Sequence, residues 1–531
     1  MRVLPFLIAG ALAPASLLAQ SNATSTLVTF GDVINGSCTA TLSNATSGVG
    51  AYIIPSLLDT GSNYLVGLSG DPNDLLAVGL DLASGGTYFQ GNTNAQGRYS
   101  VSFNLVVAPS FLDRKVYWQG FTQTAGPSFQ DFSNLRVMTL NNANRWQAAC
   151  TDAPQPSANL GFVVSKRGAN NRATEVFVCG GGPALLTDPA TPYHCTDKAW
   201  IYDVLREQHT ELPGGMNVSR AFHNAVRLND GRIMVVGGVT FGGQQGSNFY
   251  TVVLNSCEVY DPLAQTWTLT PPMSAYRAGA TANLLPDGRV FVAGGTEGDS
   301  QHRLFDVTDL LDSALRSTAI YDPVANTWSA GPDMPGRKAG AGSIVLNDGR
   351  VLIAGGITYE LIIGIPVPSF SDRAFVYNPS SGAYTSANMQ DGRALFGITL
   401  LNDGRVLCAG GGGGDILNIG PIRKAEIYNP ANNTFTATPN LPNDAAFPVA
   451  VTLADGRAMV LGGATGSLDD PIPTALCSIY NPTANTWTAV DAMDVAHGGG
   501  AGAILEDGSV YYSGGETNNG QATNAAENYT P

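Results

Sequence analysis

The chain has 531 residues and a formal net charge of −15, yet only 13 % of its residues are charged. Its basic residues are scattered and build no run that would neutralise a phosphate backbone, which excludes nucleic acid as a partner. A hydrophobic share of 44 % excludes a disordered chain, and 63 glycines among many Thr, Asn, Val and Tyr favour strands and tight turns over helices.

The first residues, "MRVLPFLIAGALAPASLLAQ", join one positive charge, an apolar run and small residues near Ala19. The pattern predicts a secretory signal peptide over 1–19 with cleavage around 19–23, and hence a secreted protein, extracellular or periplasmic. The run is short for a membrane span and contains Pro5 and Pro14. No later stretch is long and apolar enough to cross a bilayer, so no membrane insertion is expected after signal removal. The absence of cysteine near the cleavage region argues against a lipid anchor there.

Residues 22–132 carry no repeat. "YSVSFNLVV" (99–107) alternates as a half-buried strand does, and "KVYWQGFT" (115–122) does so more loosely. Gly, Asn, Ser and Asp clusters punctuate the rest, so a small β-sandwich-like domain of about seven strands is expected.

From 135 onward the chain repeats itself. "RAFHNAVRLNDGRIMVVGG" (220–238) followed by "CEVYDPLAQTWTLTPPM" (257–273) recurs as "RAGATANLLPDGRVFVAGG" with "TAIYDPVANTWSAGPDM", and again further on. Glycine doublets begin at 180, 237, 294, 355, 410, 462 and 514, which marks seven units. In each, Asp-Gly between two apolar runs is a hairpin signal, because both residues tolerate positive φ. The Gly-Gly ends the second strand where a Cβ would crowd the backbone. The Tyr-Asp/Asn-Pro segment is a third strand closed by an Asx turn, and a fourth begins at Thr-Trp. Four antiparallel strands per unit make a propeller blade. The Trp is expected to wedge between neighbouring blades.

The Gly-Gly, Tyr-Asp-Pro and Trp at this spacing resemble kelch repeats. The resemblance implies an all-β, seven-bladed kelch-type β-propeller over 135–531. Unit one departs from the pattern, since "NLGFVVSKRGANNRATEVFVCGGG" lacks the Asp-Gly turn. The last unit runs to "ENYTP" (527–531), where a fourth strand is due, whereas "TLNNANRWQA" (139–148) ends like a repeat with none before it. The expectation is that 139–148 supplies the missing strand and closes the ring, removing two free sheet edges.

In such a ring the Asp-Gly turns share one face with the Asx turns, and both are uniform here. The second-to-third loops and the entries to each first strand lie on the other face and vary, as binding loops do. One of them, "ITYELIIGIPVPSFSD" (357–372), is unusually apolar. Ten residues before each turn Asp stand Arg220, Arg277, Lys338, Arg393, Ala445 and His497. A ring of five cationic groups at the axis on the variable face would focus an anionic sugar, with His223 beside it. The alternative is a shared packing role, since identical positions in a repeat face identical neighbours.

The galactose oxidase family, also built on a kelch-type propeller, sets the enzymatic expectation. It needs a Tyr-His pair entering a first strand, a Tyr–Cys cross-link and a further His from a domain after the ring. This chain has Phe222 and His223 at the Tyr-His position, so the redox phenol is absent. Its five histidines, His194, His209, His223, His302 and His497, show no short metal-ligand spacing. No nucleophile elbow, H-E-x-x-H or phosphate-cradling loop occurs. No cofactor or metal is therefore expected. Of seven cysteines, Cys179 and Cys195 flank one loop and are the disulfide candidate, while Cys257 and Cys477 hold the same place in two repeats and read as core. The expected function is non-catalytic binding of an extracellular carbohydrate or protein through the variable face. The alternative is a propeller enzyme on sugars, a copper oxidase or a mutarotase.

Overall fold

The computed structural model describes residues 26–30, 37–43, 50–56, 64–67, 75–78, 89–95, 98–104, 115–123, 129–130, 136–139 and 145–149. From 151 to 531 it describes all but 169–170, 189, 205–206, 299–303, 306–312, 363–364, 415–418 and 468–469. The predicted signal peptide, Cys150 and His302 lie outside the described residues. Among the described residues every regular element is a strand.

The chain forms two compact units, Met1–Gln147 with Leu205–Glu207 and Thr530–Pro531, and Ala148–Val204 with Gln208–Tyr529. In the first, Thr26–Phe30, Ser37–Ser43 and Tyr99–Asn104 make one antiparallel sheet. Gly50–Ser56, Phe89–Asn92, Lys115–Gln123, Phe129–Gln130 and Arg136–Thr139 make another. Both strands predicted from alternation, near 99–107 and 115–122, are present. The small hairpin of Tyr64–Gly67 and Leu75–Val78 was not legible in the sequence.

The described residues further hold seven four-stranded antiparallel sheets. Sheet two shows how the repeat builds one: Asn224–Arg227, Ile233–Val236, Cys257–Asp261 and Thr266–Leu269 follow in spatial order. At its first turn Gly231 adopts φ 91°, and Asp230 Oδ1 accepts the Arg232 N–H while Oδ2 accepts from its guanidinium. After the third strand, Asp261 Oδ1 accepts the N–H groups of Leu263 and Ala264, the expected Asx turn. The doublet Gly237–Gly238 sits at φ 60° and 98°. A Cβ on Gly237 would lie 2.3 Å from the carbonyl oxygen of Arg277, which enters sheet three, so the second strand ends where the next repeat passes over it.

The core lies between neighbouring sheets. Val226, Met234 and Val259 of sheet two pack with Val290, Val292 and Tyr321 of sheet three, and Trp328 joins them from sheet three. Trp328 Nε1 donates to Pro271 O of the preceding repeat, so the Trp does bridge neighbours. Sheet one, of Gly161–Arg167, Ala173–Cys179, Ala199–Asp203 and Gln208–Glu211, shares a core with sheet seven in the same way, through Val176, Tyr202, Ala503 and Tyr511. Sheet seven has Ala501–Ile504, Val510–Ser513 and Ala526–Thr530 from the last repeat, and Arg145–Ala148 as its outer strand. Ala149 N–H donates to Ala526 O at 2.7 Å. The strand is shorter than 139–148, because Thr139 already ends a strand of the first unit.

Candidate functional site

At the entry to each first strand one residue holds a left-handed backbone: Asn159, Phe222, Gly279, Gly340, Leu395, Phe447 and Gly499, with φ between 52° and 70°. Each sits at the same place in its repeat. The Phe222 N–H donates to Asn159 O, Gly279 to Phe222 O, Gly340 to Gly279 O, Leu395 to Gly340 O and Phe447 to Leu395 O, at 2.8–3.1 Å. Asn159 N–H donates to Gly499 O at 2.9 Å, so one belt of backbone hydrogen bonds runs through all seven repeats. Only the Gly499 to Phe447 link is not made among the described residues. The positive φ lets each peptide turn its N–H sideways to the preceding repeat instead of along its own strand. The belt was not legible in the sequence, since Phe222, Leu395 and Phe447 carry side chains that disfavour that conformation.

The belt lies on the face that carries the variable loops. Half-buried Phe222, Tyr276 and Leu395 pack there with buried Tyr193, Val239, Val253 and Ile357 in one apolar collar. Hairpins extend the second-to-third connections on the same face: Val239–Gln245 with Asn248–Val253, Ile357–Ile362 with Ile365–Phe370, and Ala464–Gly466 with Pro471–Pro473. The apolar loop singled out at 357–372 is thus the second of these hairpins. Phe241 and Phe249 approach at 6.4 Å between ring centroids, His194 packs on Phe241 at 4.3 Å, and Ile472 is 52 % exposed. The opposite face is uniform. Its groove of about 420 Å³ between sheets five and six is lined by Asp403, Asp455, Arg457 and Asn481, and its carboxylates are already engaged by Arg405 and Arg457.

The proposed cation ring does not form a binding surface. Arg220, Arg277, Lys338, Arg393 and His497 are at most 1 % exposed, and His223 is 7 % exposed. Each of the five side chains turns into its own sheet, because the carbonyls left at the end of the second strand and before the third need donors. Arg220 Nη1 donates to Gly237 O and Ser256 O, and Nη2 to Glu258 Oε1 at 2.8 Å. Glu258 also accepts the N–H groups of Asn217 and Val218, which ties the incoming connector to the sheet. Arg393 with Glu426 at 2.7 Å and His497 with Glu527 at 3.0 Å repeat the arrangement. Arg277 has Ala319 where the carboxylate would stand and bonds Gly294 O, Ser317 O and Ser317 Oγ instead. Lys338 faces Phe375 at that place, 4.6 Å from the ring centroid, and donates to Gly355 O, Ser371 Oγ and Arg373 O. Burial pulls Arg277 down to about 10 and Lys338 down to about 7. The recurrence reports a packing role, which was the alternative reading of the same positions.

The cysteine pairing is likewise corrected. Cys179 and Cys195 are both free thiols. Cys179 Sγ lies 3.3 Å from His223 Nε2, and Cys195 Sγ points to Val239 O, so each thiol is held by a different neighbour. Burial pushes both up, Cys195 to about 12, which leaves neither reactive. Cys257 and Cys477 are buried, as their repeat position suggested.

The residues at the galactose-oxidase-like position do not fit a copper centre. Phe222 offers no phenol. His223 is buried, with that burial and the nearby Arg220 charge holding it down at about 3, and its Nε2 faces a thiol rather than open space. His209 is elsewhere, between Thr151 Oγ1 at 3.0 Å and Tyr511 Oη at 2.7 Å. Among the described residues no group of three His, Cys, Asp or Glu stands together to hold a metal ion.

Residues 220–274 match the Kelch motif. Kelch-like protein terF of Aspergillus terreus is 29 % identical over 172 residues, covering 30 % of this chain and 34 % of that protein. The F-box/kelch-repeat protein SKIP30 of Arabidopsis thaliana is 26 % identical over 222 residues, 39 % of this chain and 56 % of that protein. Galactose oxidase of Gibberella zeae is 26 % identical over 318 residues, 54 % of this chain and 40 % of that protein. The chain therefore spans between a third and just over half of these relatives. A fungal alcohol oxidase of the AA5 family, solved in complex with copper, aligns with a TM-score of 0.54 at 18 % identity over 73 % of this chain and 77 % of that one, a likeness of fold. Motif, relatives and sheet order together support the fold of a kelch-type β-propeller.

Proposed function

We propose that the protein is an exported, seven-bladed propeller that binds a partner protein through the face bearing the belt and the hairpins, without catalysis. The strand Arg145–Ala148 supports the ring as closed from its own N-terminal side, and the leader-like residues 1–19 support export. The observation that carries the reading is the contrast between faces. One presents uniform turns whose charges pair internally. The other presents hairpins of unequal length with partly exposed Phe241, Phe249 and Ile472 beside an apolar collar. Amphipathic and aromatic side chains of this kind favour a protein surface. An anionic glycan lost its support when the cations proved to be buried, and the sugar oxidase when the Phe222 and His223 geometry failed to suit copper.

The purified protein is to be screened on protein and glycan arrays beside two variants. Phe241→Ser with Ile472→Ser is expected to weaken a protein ligand at least tenfold, and Asp403→Ala on the turn face to leave it unchanged. Loss confined to Asp403→Ala, ligands found only among glycans, or copper uptake with peroxide release on sugars would overturn the reading.

A further inference from the structure

Sheet one departs from its neighbours on the variable face. Its second-to-third connection leaves the bridge between Ala158 and Gly182 and carries Pro183–Thr187 across to the last repeat. Leu185 N–H donates to Glu516 Oε2 at 2.5 Å, and Ala522 N–H donates to Pro183 O at 2.8 Å. From its own sheet, Asn159 Nδ2 donates to Ala184 O and Leu185 O, and Tyr193 Oη donates to Ala184 O. The Leu185 side chain is wholly buried on the belt. A Cβ at Gly499 would lie 2.4 Å from it and one at Gly498 2.8 Å, so the two glycines form its seat.

We infer that Pro183–Thr187 is an autoinhibitory strap, a self-seated segment that covers the belt at sheets one and seven and is displaced when a partner engages that face. The inference rests on the binding reading above. The seat reads main chain on both sides: a carboxylate takes an N–H, an amide gives to two carbonyls, and a glycine floor receives one branched aliphatic side chain. The strap belongs to no strand ladder. It is held by side chains and one loop peptide, the class of contact that opens locally before the sheets do. The belt beneath it is bonded from Asn159 N–H to Gly499 O, with the Gly499 to Phe447 link not made, and it stays when the strap lifts.

Hydrogen exchange on the full chain tests this without a partner. In the wild type, the Leu185 and Ala522 amides are expected to exchange at least tenfold faster than those of Gly279, Gly340 and Leu395, at a rate independent of low denaturant. In Leu185→Ser, exchange over 183–187 and at Ala522 should approach that of an open chain while the belt amides keep their protection, and fluorescence of added anilinonaphthalene sulfonate should rise. Strap amides that exchange only together with the belt would overturn the inference, as would a Leu185→Ser variant that loses belt protection or does not fold. Failure of the binding reading alone would leave these exchange rates as expected, so the two are separable.

Discussion

Arg220 and Glu258 meet at 2.8 Å with both side chains at zero exposure, and the carboxylate also holds the connector that leads into the sheet. An ion pair this deep is retained for what it joins. Its own Coulomb gain is largely offset by desolvation. Glu258→Ala leaves a buried guanidinium without its counter-charge and two N–H groups without their acceptor, and is expected to cost about 3–5 kcal/mol. Arg220→Met combined with Glu258→Leu should cost clearly less than Glu258→Ala alone. Thermal unfolding of the two variants checks the order, and equal losses would show that the pair does not act as a unit.

Lys338 makes stability depend on alkaline pH. Burial lowers its amine from the ordinary 10.5 to about 7 in the folded state, so between those values the unfolded chain binds more protons. Its contribution is fully present above 10.5 and is lost as pH falls through 7. The melting temperature of the wild type minus that of Lys338→Met is therefore expected to rise from pH 7 to pH 10. A flat difference would mean that Lys338 titrates alike in both states.

His209 and Tyr511 join the first and last sheets across 302 residues of sequence. Tyr511→Phe removes the hydroxyl from a half-buried imidazole and should cost about 1 kcal/mol. Burial also lowers His209 to about 4, below its unfolded value of 6.5. That stability is present above pH 6.5 and is lost as pH falls through 4. In melting scans between pH 6.5 and 4, His209→Gln should lose less than the wild type.

Two glycines of similar φ separate crowding from strain. Gly382, at φ 69°, would meet nothing within 4 Å on gaining a Cβ, so Gly382→Ala should cost about 1–2 kcal/mol for its left-handed backbone alone. Gly238, at φ 98°, would place a Cβ 2.4 Å from Ala221 O, a backbone atom with no freedom to yield. Gly238→Ala is expected to lose far more than Gly382→Ala in denaturant unfolding. Equal losses would refute the close approach of Ala221 to the glycine doublet within the repeat.

What was legible in the sequence is what each repeat states locally. The Asp-Gly turns, the Asx turns and the bridging Trp328 follow from residue chemistry at fixed offsets, and all are in place. Whether Arg220, Arg277, Lys338, Arg393 and His497 face a ligand or hold their own sheets was not legible in the same sense. Recurrence showed that the position matters and was silent on whether the side chain points outward or into its own sheet. The Cys179–Cys195 bridge failed for a related reason, since proximity in sequence does not set where a thiol points.

The sequence by itself determined the strand pattern, the repeat and its turns, because those depend on the φ preferences and alternation of a few neighbouring residues. Only the tertiary structure decided which polar groups are spent on holding the sheets and which face is left to elaborate. Burial and hydrogen-bond partners belong to the assembled ring: the belt from Asn159 to Phe447 and the seat of Leu185 on Gly498 and Gly499 exist only once distant repeats lie side by side.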